Sequence, residues 1–336
     1  MDEFGIGIIS TGHVLPTKEM TNDQICEHLD DVTPEWIIEK TGIKKRYYVD
    51  KDQNASDLAI AACKKVLSNT ELDIRDVGLI VVASFSQDYL FPPLSAKIHK
   101  ELSASKECQI IDLNTNCVGL VTALTMASDR MKNSDIKYSL IIGVEVLSRF
   151  TNLHDENTAV FFGDGASAVL LGRVAKMYGI QSSKFMTDSS TYESVRLVKG
   201  GSSNLNLVGN AQNKYSFIEQ NSLATWKQAI TNLPKVITKL IASNDLTNDD
   251  IDFIIFHQAN KVLINYVMKK MRIDSDKTFT NVEEIGNTGS ASIGIALSQA
   301  IELKYIKADQ YLLIAGVGAG FNFGASLWKM QLNFNQ

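Results

Sequence analysis

Cys117 follows Asn114, Thr115 and Asn116 and opens a run of small and apolar residues, Val118 to Leu124, that places it near a helix N-terminus. There, free backbone N–H groups and the positive end of the helix dipole favour the thiolate, the nucleophilic form of cysteine. His257 closes the apolar run 253–256 and begins His257-Gln258-Ala259-Asn260. Strand ends are where α/β architectures handle ligands. Asn287 stands in Gly286-Asn287-Thr288-Gly289. Each residue alone has a plainer reading: a small core cysteine, a satisfied buried histidine, a turn or cap asparagine. Together they are candidates for one site, a sulfur nucleophile with two polar side chains. Cys26, Cys63 and Cys108 keep the plainer reading.

The elements that must position these residues occur twice. Residues 72–82 lie over residues 246–256 at an offset of 174, and residues 138–144 (YSLIIGV) over residues 311–317 (YLLIAGV) at 173. Between them, residues 114–124 lie over residues 287–297, again at 173. Three colinear matches at one period imply duplication. Runs such as 79–83 and 253–256 are rich in Val and Ile without alternation, so they predict strands buried on both faces. The fold expected is α/β, with layers ordered helix, sheet, helix, sheet, helix. It is built from two duplicated halves, residues 1–172 carrying the cysteine and residues 173–336 carrying His257 and Asn287. Pseudo-twofold symmetry brings the two central helix starts together, and with them Cys117 toward Asn287. Ser56 and Asp57 are expected to cap a helix through Val66. The apolar spacing of Trp226, Ile230, Leu233, Ile237 and Leu240 predicts its counterpart, with Pro234 kinking it or starting a new turn. Residues 181–222 are polar and poorly periodic, and read as a loop or insertion.

Composition narrows the function classes. In 336 residues, 45% are hydrophobic and 21% charged, as in a globular protein of about two domains. A net charge of −5 removes the footprint of non-specific nucleic-acid binding. The apolar runs fall short of the roughly 20 residues needed to span a bilayer, and the acidic start Met1-Asp2-Glu3 is unlike a secretory signal. A cytoplasmic protein without membrane association is expected. Four cysteines without a C-x-x-C pair and five histidines offer no metal-ligand spacing. The turn Gly316-Val317-Gly318-Ala319-Gly320 precedes a strand-like segment where a dinucleotide loop would precede a helix, so it is expected to present a backbone N–H to a reacting carbonyl.

At these motifs the chain resembles the condensing enzymes of the thiolase superfamily, and most closely the β-ketoacyl-acyl carrier protein synthase III family. The resemblance extends over Glu35-Trp36-Ile37, Thr41-Gly42-Ile43, Phe91-Pro92, Phe162-Gly163-Asp164-Gly165-Ala166, H-Q-A-N, G-N-T and the terminal glycine-rich turn. It implies the thiolase-like five-layered α-β-α-β-α fold and a catalytic triad of Cys117, His257 and Asn287. It also implies an oxyanion hole from the backbone N–H groups of Cys117 and Ala319. No cofactor is permanently bound; substrates arrive on coenzyme A or phosphopantetheine, past Trp36 and Asn260. The partners implied are an acyl carrier protein docking near Lys227, Lys269 and Lys270, an acyl thioester, and a second copy of the chain whose acyl pocket Phe91 helps to close.

Two positions depart from the family's pattern. Glu156 stands where an arginine stacks on the adenine of coenzyme A, and Val262 replaces an arginine after H-Q-A-N, with Lys261 one residue earlier. A carboxylate cannot stack as a guanidinium does and repels phosphates. The leading expectation is an acyltransferase that loads an acyl group on Cys117 and condenses it with a malonyl thioester by decarboxylative Claisen chemistry, in fatty-acid initiation or secondary metabolism. The alternative is acyl transfer to a non-malonyl O, N or C nucleophile without decarboxylation. A silent partner subunit conflicts with the intact triad, and a cysteine hydrolase lacks a papain-type nucleophile segment.

Overall fold

Neighbouring residues along each central strand serve different layers. In the strand Val77–Ala83, Leu79 and Val81 enter one core while Ile80 and Val82 enter another. In Phe253–Phe256, Phe253 and Ile255 join the first of these cores, and Ile254 and Phe256 a third. All are buried, as a strand covered on both faces requires. The computed structural model describes residues 4–198, 200–202 and 217–331.

The first sheet orders its strands Phe4–Val14, Asp164–Ala175, Tyr138–Val146, Val77–Ala83 and Gln109–Leu113. The second orders Gly179–Thr187, Asn322–Lys329, Tyr311–Gly318 and Phe253–Phe256. Directions repeat as well as order: antiparallel, antiparallel, then parallel in both. Gln109–Leu113 adds a further parallel strand to the first sheet, and its counterpart is a parallel bridge between Ile254 and Thr278.

Helices Gly119–Lys132 and Ser292–Glu302 lie between the sheets. Their Leu120, Leu124, Ile293 and Leu297 share one core with Leu79, Ile141, Ile255 and Ile314. Each such aliphatic side chain, fully buried, stabilises the fold by about 1.5–3 kcal/mol. Ala55–Ser68 and Leu94–Leu102 cover the outer face of the first sheet, and Ser222–Ala242 and Lys261–Met271 that of the second. The result is the five-layered α-β-α-β-α, thiolase-like architecture.

Local expectations are corrected at three places. The helix expected to be capped by Ser56 and Asp57 begins at Ala55 after Asn54, whose N–H is accepted by the Asp57 carboxylate at 2.8 Å. Asp57 is thus the reciprocal member of a capping box, one turn inside. Pro234 does not restart its helix, which runs unbroken from Ser222 to Ala242. A proline leaves the carbonyl four residues earlier without its N–H partner. That carbonyl belongs to Ile230, and Lys270 Nζ donates to it at 2.8 Å. Residues 181–222 contain most of the edge strand Gly179–Thr187 and the antiparallel pair Val195–Leu197 and Ile218–Gln220. The edge strand reads as loop because its Gln181, Lys184 and Thr187 face solvent and its Ser182 and Ser183 break any apolar pattern; Lys199 and residues 203–216 of that stretch lie outside the described residues.

Candidate active site

Cys117 sits in the one-turn 3-10 helix Asn116–Val118 that leads into Gly119–Lys132. Asn116 before it has φ +52°, the left-handed region that asparagine tolerates better than most residues. Its Nδ2 donates to the Ala319 carbonyl at 3.2 Å, tying the cysteine turn to the glycine-rich turn of the second half. Gly318 permits that approach, since a Cβ there would lie 2.5 Å from the Thr115 carbonyl oxygen. The expected low-pKa thiolate is not found. Burial pushes the Cys117 thiol up, and a charged Glu145 would add to the push, so desolvation outweighs the helix start.

His257 follows the strand Phe253–Phe256, and its N–H donates to the Ala315 carbonyl at 2.8 Å, which prolongs the ladder by one residue. Burial pulls its pKa down to about 3, so the imidazole is neutral. Nδ1 lies 2.6 Å from Ser292 Oγ, which also accepts the Gln258 N–H at 3.2 Å. When the serine hydroxyl donates its own proton to Nδ1, as it can while accepting from Gln258, Nδ1 is the unprotonated ring nitrogen. The ring proton then resides on Nε2, where it can be donated.

Asn287 is held on both sides by the segment before Asp164. Its N–H donates to the Phe161 carbonyl at 2.8 Å, and its carbonyl accepts the Gly163 N–H at 3.0 Å. Gly286, at φ +69°, lets the chain enter this clamp, because a Cβ would lie 2.8 Å from the same Phe161 oxygen. Asn287 Oδ1 accepts the Gly289 N–H at 3.0 Å, which fixes the carboxamide and leaves Nδ2 as the outward donor. The F-G-D-G and G-N-T motifs are therefore two sides of one support.

Cys117, His257 and Asn287 all line a single cavity of about 440 Å3. Ala319, Trp36 and Asn260 line it too, as does Glu156. Asn260 spends its carboxamide on structure: Oδ1 caps the helix Lys261–Met271 by accepting the Leu263 N–H, and Nδ2 donates to the Lys40 carbonyl. Phe91 lies elsewhere, on an exposed apolar stripe with Tyr89 and Leu90, and is itself 84% exposed. Lys227 and Lys269 are exposed on two adjacent outer helices, whereas Lys270 is engaged with Ile230. Val262 is exposed, and Lys261 pairs with Glu283.

Three contributors escaped the sequence reading. Ser292 orients His257, Phe85 lines the cavity, and Glu145 lies buried beneath both turns. Glu145 carried a signal: it is the one charged residue in the buried strand Tyr138–Val146. The four cysteines are free. Among the described residues no helix is long and apolar enough to cross a membrane, and no cluster of His, Cys, Asp and Glu could hold a metal ion.

The chain matches two family descriptions, "3-Oxoacyl-[acyl-carrier-protein (ACP)] synthase III" over residues 111–189 and its C-terminal counterpart over residues 241–330. The β-ketoacyl-[acyl-carrier-protein] synthase III of Fusobacterium nucleatum subsp. nucleatum is 33% identical over 324 residues, 96% of this chain and 98% of that protein. That of Vesicomyosocius okutanii subsp. Calyptogena okutanii is 35% identical over 320 residues, 95% and 97% of the two chains. The crystal structure of 3-oxoacyl-[acyl-carrier-protein] synthase III from Aquifex aeolicus VF5 superposes with a TM-score of 0.88 at 28% identity, covering 97% of this chain and 100% of that one. With its motifs, its duplicated fold and these full-length likenesses in agreement, the chain belongs to the 3-oxoacyl-[acyl-carrier-protein] synthase III family of condensing enzymes.

Proposed function

We propose that this condensing enzyme works through Cys117, His257 and Asn287, on acyl and malonyl groups carried as pantetheine thioesters. What carries the reading is that a thiol, a neutral imidazole and a carboxamide whose Oδ1 is already engaged open onto one chamber.

Cys117 Sγ attacks the acyl thioester carbonyl and the carrier's thiolate departs, taking up the proton that the cysteine loses. The oxyanion formed in that step is held by the backbone N–H groups of Cys117 and Ala319. A malonyl thioester then enters and loses carbon dioxide. The electron pair of the broken C–C bond moves onto its thioester oxygen, where His257 Nε2–H and Asn287 Nδ2–H stabilise the charge. No base is required, which agrees with a histidine held neutral. The enolate carbon attacks the acyl group on Cys117, expels the cysteine sulfur and leaves a 3-oxoacyl thioester. Losing one such oxyanion donor costs about 3 kcal/mol, or about 10²-fold in rate.

The second substrate is malonyl on the phosphopantetheine of an acyl carrier protein, with the exposed Lys227 and Lys269 of two outer helices as its docking cations. Glu156 at the mouth disfavours the phosphates of coenzyme A as donor. The exposed Tyr89, Leu90 and Phe91 form the contact between two copies of the chain, with Phe91 closing the acyl pocket of the other copy. The halves 1–172 and 173–336 are two copies of one module, a reading that the repeated strand order supports. Mixing the enzyme with an acyl donor and malonyl-carrier protein should release carbon dioxide in step with product. Acyl transfer to another nucleophile without carbon dioxide release would favour the non-decarboxylative alternative.

A further inference from the structure

Glu145 is fully buried where the two helix starts meet, and the reaction just described gives it no task. It faces hydroxyls and backbone N–H groups, and its perturbing neighbours include no cation. Ser86 Oγ donates to Oε2 and in turn accepts the Val146 N–H at 2.8 Å. The Phe85 N–H approaches both carboxyl oxygens, at 3.3 and 3.4 Å.

Ser290 Oγ lies 2.7 Å from Glu145 Oε1 and also 2.7 Å from the Ala83 carbonyl oxygen. A serine hydroxyl has one proton, and a backbone carbonyl can only accept. With the serine proton on Ala83, the contact to Oε1 is a hydrogen bond only when the carboxyl supplies the proton. We propose that Glu145 is held as a neutral carboxylic acid that donates from Oε1 to Ser290 Oγ, and that it is a positioning residue for Cys117 and Asn287.

The proposal rests on the condensing function proposed above and assigns a device within that same site. Its route to the reacting groups is short. Gly289, next to Ser290, supplies the N–H that fixes Asn287 Oδ1. A Cβ on Gly289 would lie 2.8 Å from Glu145 Cγ, so the carboxyl arm packs directly against the turn that carries that N–H. On the other side Glu145 holds Phe85, which lines the cavity. The titratable group facing it is Cys117, whose thiolate a charged Glu145 would oppose. His257 feels burial alone. Burial also pushes Glu145 up to about 8, which keeps it an acid at neutral pH.

The full-length enzyme and its Glu145→Gln and Glu145→Ala variants test this. Glutamine keeps a donor for Ser290 and an acceptor for Ser86. It should retain carbon dioxide release within about twofold at pH 7 and stay level above pH 8, where the parent enzyme falls. Glu145→Ala should lose about tenfold or more. Infrared difference spectra between parent and Glu145→Gln at pH 7 should contain the carbonyl stretch of a protonated carboxylic acid. That readout needs no turnover, so it stands even should the condensing reading fail. A carboxylate band at pH 7, or Glu145→Gln impaired as deeply as Glu145→Ala, would overturn the proposal.

Discussion

Ser292 Oγ lies 2.6 Å from His257 Nδ1, and the two belong to different elements of the second half, the first turn of a central helix and the end of a strand. With the serine proton donated to Nδ1, the contact leaves the ring proton on Nε2. Ser292→Ala removes it and frees the imidazole to adopt either tautomer. Carbon dioxide release from malonyl thioester should fall about 3- to 10-fold, the worth of one hydrogen bond, while acylation of Cys117 stays within about twofold. Equal losses in both steps would argue for a general structural defect.

The buried neutral His257 makes stability depend on pH. Its folded pKa of about 3 lies below the ordinary 6.5, so the folded state binds fewer protons than the unfolded chain between these values. Its contribution is fully present above pH 6.5 and is lost as pH falls toward 3, by at most about 1.4 kcal/mol per pH unit. Urea unfolding at pH 7.5 and pH 4.5 should therefore cost the parent protein more than His257→Gln. Identical losses would mean that the imidazole is solvated.

Much of this was legible in the sequence, and its limits have physical causes. Buried strands announce themselves as Val and Ile runs, and duplication announced the second sheet, because both signals are local or periodic. The edge strand Gly179–Thr187 was hidden by its solvent-facing polar residues. Pro234 misled for a different reason: its orphaned carbonyl on Ile230 is satisfied by Lys270, forty residues away in sequence and on another helix. The candidate residues Cys117, His257 and Asn287 stand in local motifs, whereas Ser292 and Glu145 make their contacts across 35 and 145 residues, which no local pattern records. The thiolate expected from the helix start failed because burial cannot be read from sequence around Cys117.

Gly318 lets the second half's glycine-rich turn pass against the cysteine turn. Gly318→Ala places a methyl group against the Thr115 carbonyl, a backbone atom that cannot rotate away. It should destabilise the protein by about 1–3 kcal/mol and slow acylation of Cys117 more than tenfold, as measured by thermal unfolding and stopped-flow mass analysis. A variant with parent-like acylation would mean that the approach is not needed for the nucleophile's placement.

Glu156 faces the cavity mouth with Trp36. Glu156→Arg should lower the KM for an acyl-coenzyme A donor about 3- to 10-fold and leave that for an acyl-carrier donor within about twofold, since only the former brings nucleotide phosphates. An unchanged KM for both would place the nucleotide away from this corner.

Intact-mass analysis after exposure to acyl thioesters is the measurement that bears most directly on a sulfur, an imidazole and a carboxamide sharing one chamber. The parent enzyme should gain one acyl group, Cys117→Ala none, and His257→Ala one acyl group without later carbon dioxide release from malonyl-carrier protein. Acylation of Cys117→Ala to the parent's extent would contradict the account.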